Sequence, residues 1–431
     1  MLKPELAGAE FRLLDLDIEA ARIVAATVER CAAAWNTGAS VAPTTDPACA
    51  LDGADFVVIT ISTGGLAAMK HDLQIPERYG IYQTVGDSVG PGGWARGLRN
   101  IPVFASLAEQ ISRYCPNAFV LNYTNPMTTL TKTLAVLLNQ PVVGLCHGLF
   151  ENYQQLCKVF NLKSEDELSA QYGGLNHFFW MFDFTVRGKP GYPMLHRKLK
   201  KGLRIDDVIR DAYVDEAGHS SKRRLVASEL FEEFGALPYL GDRHIAEFFG
   251  RYLTGGLKNL DQYGLVRTTY GKRVRMLNNQ RKQARLYASG KEEFPRKASR
   301  ETAADIMAAA CTHRDFIDVM NLPNSGQIAN LPMGAVVETA GVVNERGFSP
   351  VGGITLPPQI LNVTLPHVLN QEMIVEAGLA GNWTMAWQAL INDPQCAHLS
   401  VKRIKAMGAA LLEANRDYLP QFFGRRRGNG R

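Results

Sequence analysis

Residues 55–62 read DFVVITIS, an almost unbroken apolar run of strand length rich in β-branched side chains. A strand buried on both faces has this composition, and such strands belong to parallel sheets covered by helices. Residues 11–15 (FRLLD), 118–122 (AFVLN) and 141–145 (PVVGL) repeat the pattern. Stretches 18–34, 101–114 and 126–138 between them carry helical periodicity. Strands alternating with helices predict an α/β, Rossmann-like dinucleotide-binding domain over residues 1–165, with functional turns at the carboxyl ends of its strands. Residues 166–431 read as an α+β catalytic domain. Strands are expected over 168–174 and 178–186, flanking GGLNHFF, and helices around 204–217 and 220–233. A charged helix is expected over 272–303, a β-hairpin pair over 334–351, and helices over 359–412 that return to the first domain.

At 431 residues the chain is long enough for two cores. Its net charge of +5 is small, and much of the excess lies in the terminal RRRGNGR, which reads as a solvated tail. No basic stripe with interleaved aromatics marks a nucleic-acid partner. No window approaches the roughly 18 apolar residues of a membrane span. MLKPELAGAE lacks the regions of a signal peptide, and seven scattered cysteines argue against a disulfide framework. A cytoplasmic protein is expected.

A Rossmann unit needs a first strand, a G-x-G-x-x-G turn that brings pyrophosphate to a helix N-terminus, and an acid for the ribose. Asp15, with Asp17, fits the acid, while the turns at Thr60, Ser62 and Asn122 fit contacts near a nicotinamide ribose. Residues 1–14 contain neither the first strand nor the glycine turn. The expectation is an N-terminally incomplete domain, either because the start is set too late or cut there, or because NAD binding has been lost. Without that central strand, the 11–15 and 55–62 strands must pair directly or remain open.

Three segments carry the chemistry: LNYTNPM with Asn122 and Asn125, GLCHG with Cys146 and His147, and GGLNHFFW with Asn176 and His177. Cys146 and His177 offer a thiolate and an imidazole able to share one divalent metal. Alone, the cysteine reads as a small buried hydrophobe and the histidine as a core residue; their order behind a nucleotide-binding half changes that. At these residues the chain resembles glycoside hydrolase family 4. IPERYGIYQTVGDSVGPGGWARGLRNIPVF, GDRHIAEFF and NSGQIANLP extend the resemblance.

The resemblance implies a lactate/malate dehydrogenase-like superfold, NAD, and Mn²⁺ (or another divalent metal) on Cys146 and His177. It implies that Asn125 and Asn176 bind substrate, and that NAD takes hydride from C3 of the sugar. A base then removes the C2 proton with metal assistance, the aglycone is eliminated, and water adds; this family stands outside the two-carboxylate scheme. Asp242 in PYLGDRH is the first choice for base and Tyr239 the second, with capping of the helix near Ile245 the alternative for Asp242. His147 is the candidate acid for the aglycone. Its place after Cys146, with Gly148, resembles the branch that acts on uronides, and α-galacturonides are the preferred substrates. Arg96, Arg99 and Arg243 are the cations available for a uronate carboxylate. An α-glucuronidase or α-galactosidase is the alternative within the family. Outside it stand a 2-hydroxy acid dehydrogenase, which needs no metal pair, and a non-catalytic remnant. A homodimer or homotetramer is expected.

Overall fold

The computed structural model describes residues 1–204, 225–297 and 299–424. Strands β1 (Glu10–Leu14) and β2 (Ser40–Thr44) flank the helix Ile18–Trp35 and pair in parallel. β3 (Phe56–Ile59), β4 (Phe119–Asn122) and β5 (Val142–Gly144) form a second parallel set. The sheet continues antiparallel through β6 (Leu168–Leu175), β7 (Phe178–Val186), β8 (Lys189–Pro190), β9 (Leu237–Pro238), β10 (Phe316–Pro323), β11 (Val336–Asn344) and β12 (Gly347–Pro350). Its order is β3-β4-β5-β10-β11-β6-β7-β8, with β12 on β11 and β9 on β7. A parallel Rossmann-like frame thus passes directly into a mixed sheet at the β5–β10 junction.

β1 and β2 form a sheet of their own. Among the described residues no strand joins β1 to β3, and Val58 on β3 is 42% exposed. Of the two outcomes expected for these strands, the open one is found.

Several elements depart from their expected bounds for local reasons. The helix expected from residue 101 begins at Gly90 and runs to Tyr114. Pro91 suits a first helical turn, and Gly92 and Gly93 serve close approach. A Cβ at Gly93 would lie 2.6 Å from the Ser88 carbonyl carbon, and one at Gly92 2.9 Å from the Gly86 carbonyl oxygen. The charged helix spans Tyr270–Ser289 and stops at Gly290, whose φ of 70° ends it in a left-handed cap; a separate helix follows at Ala303–Cys311. β2 and β10 were not expected, because Pro43 interrupts one and Asp318 and Asn321 break the apolar run of the other. Most of the helix expected over 204–217 lies outside the described residues; that over 220–233 is found as Leu225–Phe234.

The C-terminal helices Pro358–Ala380, Trp383–Ile391 and Val401–Ala414 do return to the N-terminal half. Their Ala377, Leu390 and Leu411 share one core with Trp94, Leu98, Ile101 and Phe104. A second core gathers the aromatic face of β7 around Phe178, Phe179 and Trp180. Val89 and Tyr239, from segments that form the site, belong to this second core.

Candidate active site

The turn after β4, the loop before Gly90 and the β6–β7 turn meet at one place. The Asn125 amide donates to Asp87 Oδ2 at 3.3 Å, and Ser88 Oγ lies 3.1 Å from His177 Nδ1. His177 occupies the left-handed region, with φ 62°, a conformation rare for a non-glycine residue. Its ring stacks on Tyr239 at 5.7 Å and packs against His244 at 4.1 Å. One ligand atom each from Asp87, His177 and His244 fall within 4.8 Å of one another. Among the described residues no other trio of acids, histidines or cysteines is gathered this way.

Burial would raise the Asp87 carboxyl, but His244, Arg96 and His177 face it and hold it down at about 2. Burial lowers His177 to about 4, against the pull of Asp87. Burial, with His177 beside it, also drives His244 well below its ordinary value. At neutral pH the trio is therefore one carboxylate and two uncharged imidazoles, a donor set that accepts a divalent cation without losing a proton.

The loop carrying Asp87 is fixed from beneath by Glu247. Its Oε1 accepts the N–H groups of Val85 at 2.7 Å and Gly86 at 2.9 Å, and the Thr84 hydroxyl at 3.1 Å. Burial first, then the charge of Asp87, raise this acid to about 7.

Cys146 follows β5 and stands beside a second buried acid. Burial and the charge of Glu338 push its thiol up to about 12, while the Gly148 N–H and the Asn176 amide pull it down. Glu338 Oε2 accepts the amides of Asn176 at 3.1 Å and Asn321 at 2.8 Å. Asn176 thus links the histidine turn to the cysteine turn.

The remaining expected residues fall into different places. Arg96 donates its Nε to the Asn125 carbonyl at 3.0 Å and faces Asp87. Arg99, expected to bind a substrate carboxylate, instead makes two 2.7 Å bonds to Asp72, and its Nε bonds the Thr63 carbonyl. Arg243, given the same expectation, donates to the Val266 carbonyl at 2.8 Å and to the Thr268 hydroxyl. Arg99 is buried, so its guanidinium must find internal partners; Arg243 is half-buried and bonds internal groups as well. Asp242 is 1% exposed, and its oxygens accept the N–H groups of Val226 and Ala227, each at 3.0 Å. It caps the Leu225–Phe234 helix rather than the one near Ile245, an arrangement at odds with a free base. His147 is exposed at the rim, 3.3 Å from Glu301.

On the nucleotide side, Asp15 and Asp17 are exposed at the end of β1. Asp17 caps the following helix through the Glu19 and Ala20 N–H groups, and Asp15 accepts the Asp17 N–H at 2.8 Å. Thr60 and Ser62 are exposed after β3. Asn122 is buried and holds its own turn through the Thr124 N–H and the Thr131 hydroxyl.

Asp87, His244 and Glu247 were not singled out, although all three lie in the quoted segments VGDSVGPGG and GDRHIAEFF. Their signal is polar residues set among glycines and aromatics. Glu338 has no comparable signal, being one acid inside a hairpin strand.

Residues 1–162 match the model of family 4 glycosyl hydrolases, and residues 172–396 match that of the family 4 C-terminal domain. The chain is 33% identical over 439 residues to an alpha-galacturonidase of Lachnoclostridium phytofermentans, covering 97% of this chain and 92% of that one. It is similar to the crystal structure of a candidate glucosidase of Bacillus subtilis, with a TM-score of 0.84 and 30% identity over 95% of this chain and 96% of the other. Its fold is also that of a 6-phospho-alpha-glucosidase from gut microorganisms solved with NAD and Mn²⁺, with a TM-score of 0.77 and 21% identity over 95% and 92% of the two chains. A Rossmann-like frame joined to a mixed sheet, with a cluster of buried polar groups beside the turn after β4, is here the frame of a glycoside hydrolase. The chain belongs to glycosyl hydrolase family 4.

Proposed function

We propose that this protein hydrolyses α-galacturonides with NAD and a divalent metal, Mn²⁺ first among them. The observation that carries the reading is the trio Asp87, His177 and His244 beside Asn125. His244 Nδ1 and Asn125 Oδ1 are both buried without a protein partner. Buried polar atoms of that kind call for a polar ligand, so the residues present fit a metal and a sugar hydroxyl. On the nucleotide side Asp15 and the turns after β3 and β4 fit a ribose and a nicotinamide.

When bound, NAD supplies a hydride acceptor and the metal a Lewis acid. The chain's own groups then have separate tasks. Asn125 Oδ1 accepts a sugar hydroxyl proton while its amide stays on Asp87. Tyr239, whose ring lies on His177, takes the C2 proton as a phenolate, its own hydroxyl proton having passed to solvent beforehand, and Asp242 positions that segment by holding the neighbouring helix. His147, at the rim, gives a proton to the departing aglycone. Glu338 orients Asn176, and through it Cys146 and the histidine turn. The uronate preference follows the similarity to an alpha-galacturonidase and the Cys146–His147–Gly148 sequence.

The test is release of nitrophenol from nitrophenyl α-galacturonide and α-galactoside, with NAD and Mn²⁺ supplied. Turnover of the galacturonide is expected to exceed that of the galactoside by at least about tenfold, the worth of one charge-assisted contact. Chelator should abolish it. Equal turnover of the two, or faster turnover of the galactoside, overturns the uronide reading.

A further inference from the structure

With Arg99 and Arg243 committed elsewhere, the expected carboxylate site retains only Arg96 among its named cations. The structure supplies another. Arg273 lies in the first turn of the Tyr270–Ser289 helix, its N–H bonded to the Thr269 carbonyl at 3.1 Å. That turn is tied to the site, since the Thr268 N–H bonds the Thr84 carbonyl at 2.7 Å, three residues before Asp87.

Three observations mark Arg273. Its Nε is buried and has no hydrogen-bond partner. Leaving a guanidinium N–H unsatisfied is costly, and such a group in a native fold needs an explanation. Second, the helix N-terminus already carries positive partial charge, and its first turn contains no acid. A cation there is unfavourable unless an anion completes the set. Third, Arg273 is near enough for its charge to act on Arg96 and on His244. Arg96 lies under burial and the opposing pull of Asp87, with Arg99 and Arg273 adding like charge. Arg96 therefore acts on Asp87 and Arg273 on His244, so that two guanidiniums bear on the trio from different members.

We propose that Arg273, together with Arg96, binds the anionic group on C6 of the sugar and sets the preference for a carboxylate there. This rests on the substrate reading above and deepens it. The planar fork of an arginine matches a carboxylate with two parallel N–H···O bonds. A 6-phosphate offers related chemistry, so the test must separate the two.

Binding of D-galacturonate, D-galactose and D-galactose 6-phosphate is measured calorimetrically with Mn²⁺ present, in the unsubstituted protein, R273Q and R273K. The unsubstituted protein should bind galacturonate more tightly than galactose by at least about tenfold, and more tightly than the 6-phosphate. R273Q should weaken galacturonate by about 10- to 100-fold and leave galactose unchanged. R273K keeps the charge and the helix but loses the fork, so it should recover only part of the preference; it also serves should R273Q not fold. A preference for galacturonate that survives both substitutions overturns the role of Arg273 alone. Tighter binding of the 6-phosphate overturns the carboxylate assignment. An unsubstituted protein without preference between galacturonate and galactose overturns both this inference and the reading beneath it.

Discussion

Replacing His177 with alanine is expected to weaken Mn²⁺ binding by at least about 100-fold, since even outer-shell partners of metal ligands are worth 10- to 100-fold. His177 is the member of the trio whose backbone is set in the left-handed region and whose ring touches both Tyr239 and His244. Removing it leaves Asp87 and His244 and opens a gap where the ring packed. D87N and H244A should produce losses of similar size, whereas a change at an exposed acid such as Asp315 should produce none. The proton count distinguishes two ligand sets. Between about pH 6 and 9 Asp87 is ionised and His177 and His244 are uncharged, so the trio alone takes up the metal without releasing a proton. Cys146 at about 12 is a thiol until a cation stabilises the thiolate. If Cys146 joins as a ligand, one proton leaves, and affinity rises by about tenfold per pH unit. The sign follows because the proton is lost on binding, so higher pH favours the metal-bound form. We expect one proton, read from the dependence of calorimetric heat on the buffer, and none in C146S. Proton release that persists in C146S places Cys146 outside the site.

The second large effect concerns NAD. Asp15 stands exposed at the end of β1, the place of a ribose-binding acid in a Rossmann-like frame. D15A is therefore expected to weaken NAD binding by about 10- to 100-fold, the worth of a charge-assisted hydrogen-bonded pair. Calorimetric titration of NAD into the unsubstituted protein and D15A checks this. Equal dissociation constants would show that the ribose is held by other groups.

The sequence made the parallel frame legible because β3, β4 and β5 spell continuous apolar runs, even though Val58 on β3 is exposed. It concealed β2 and β10, where a proline and polar residues inside the strand look like loop until their partners are known. The same limit governs the site. His177 and Cys146 stand in short segments whose order along the chain is distinctive; His177 is one of the gathered trio, and Cys146 is not. Asp87 and His244 come together with His177 only through the tertiary fold, the first and the last of them standing 157 positions apart in the chain. A single aspartate after a glycine reads as a turn. Arg99 and Arg243 show the reverse case, since nothing local reveals that Asp72 or a buried carbonyl takes up an arginine. Arg273 is one charge among many in the expected charged helix, and its unpartnered Nε sets it apart.

The claim on which the rest depends is that glycosidic bonds are cleaved here after loss of the C2 proton, not between two carboxylates. Hydrolysis of an aryl α-galacturonide in D₂O, with millimolar NAD and Mn²⁺, tests it most directly through the product. NMR of the released galacturonate should show deuterium at C2, and omission of NAD should stop the release. Product that keeps its C2 proton, formed at the same rate without NAD, would contradict the account.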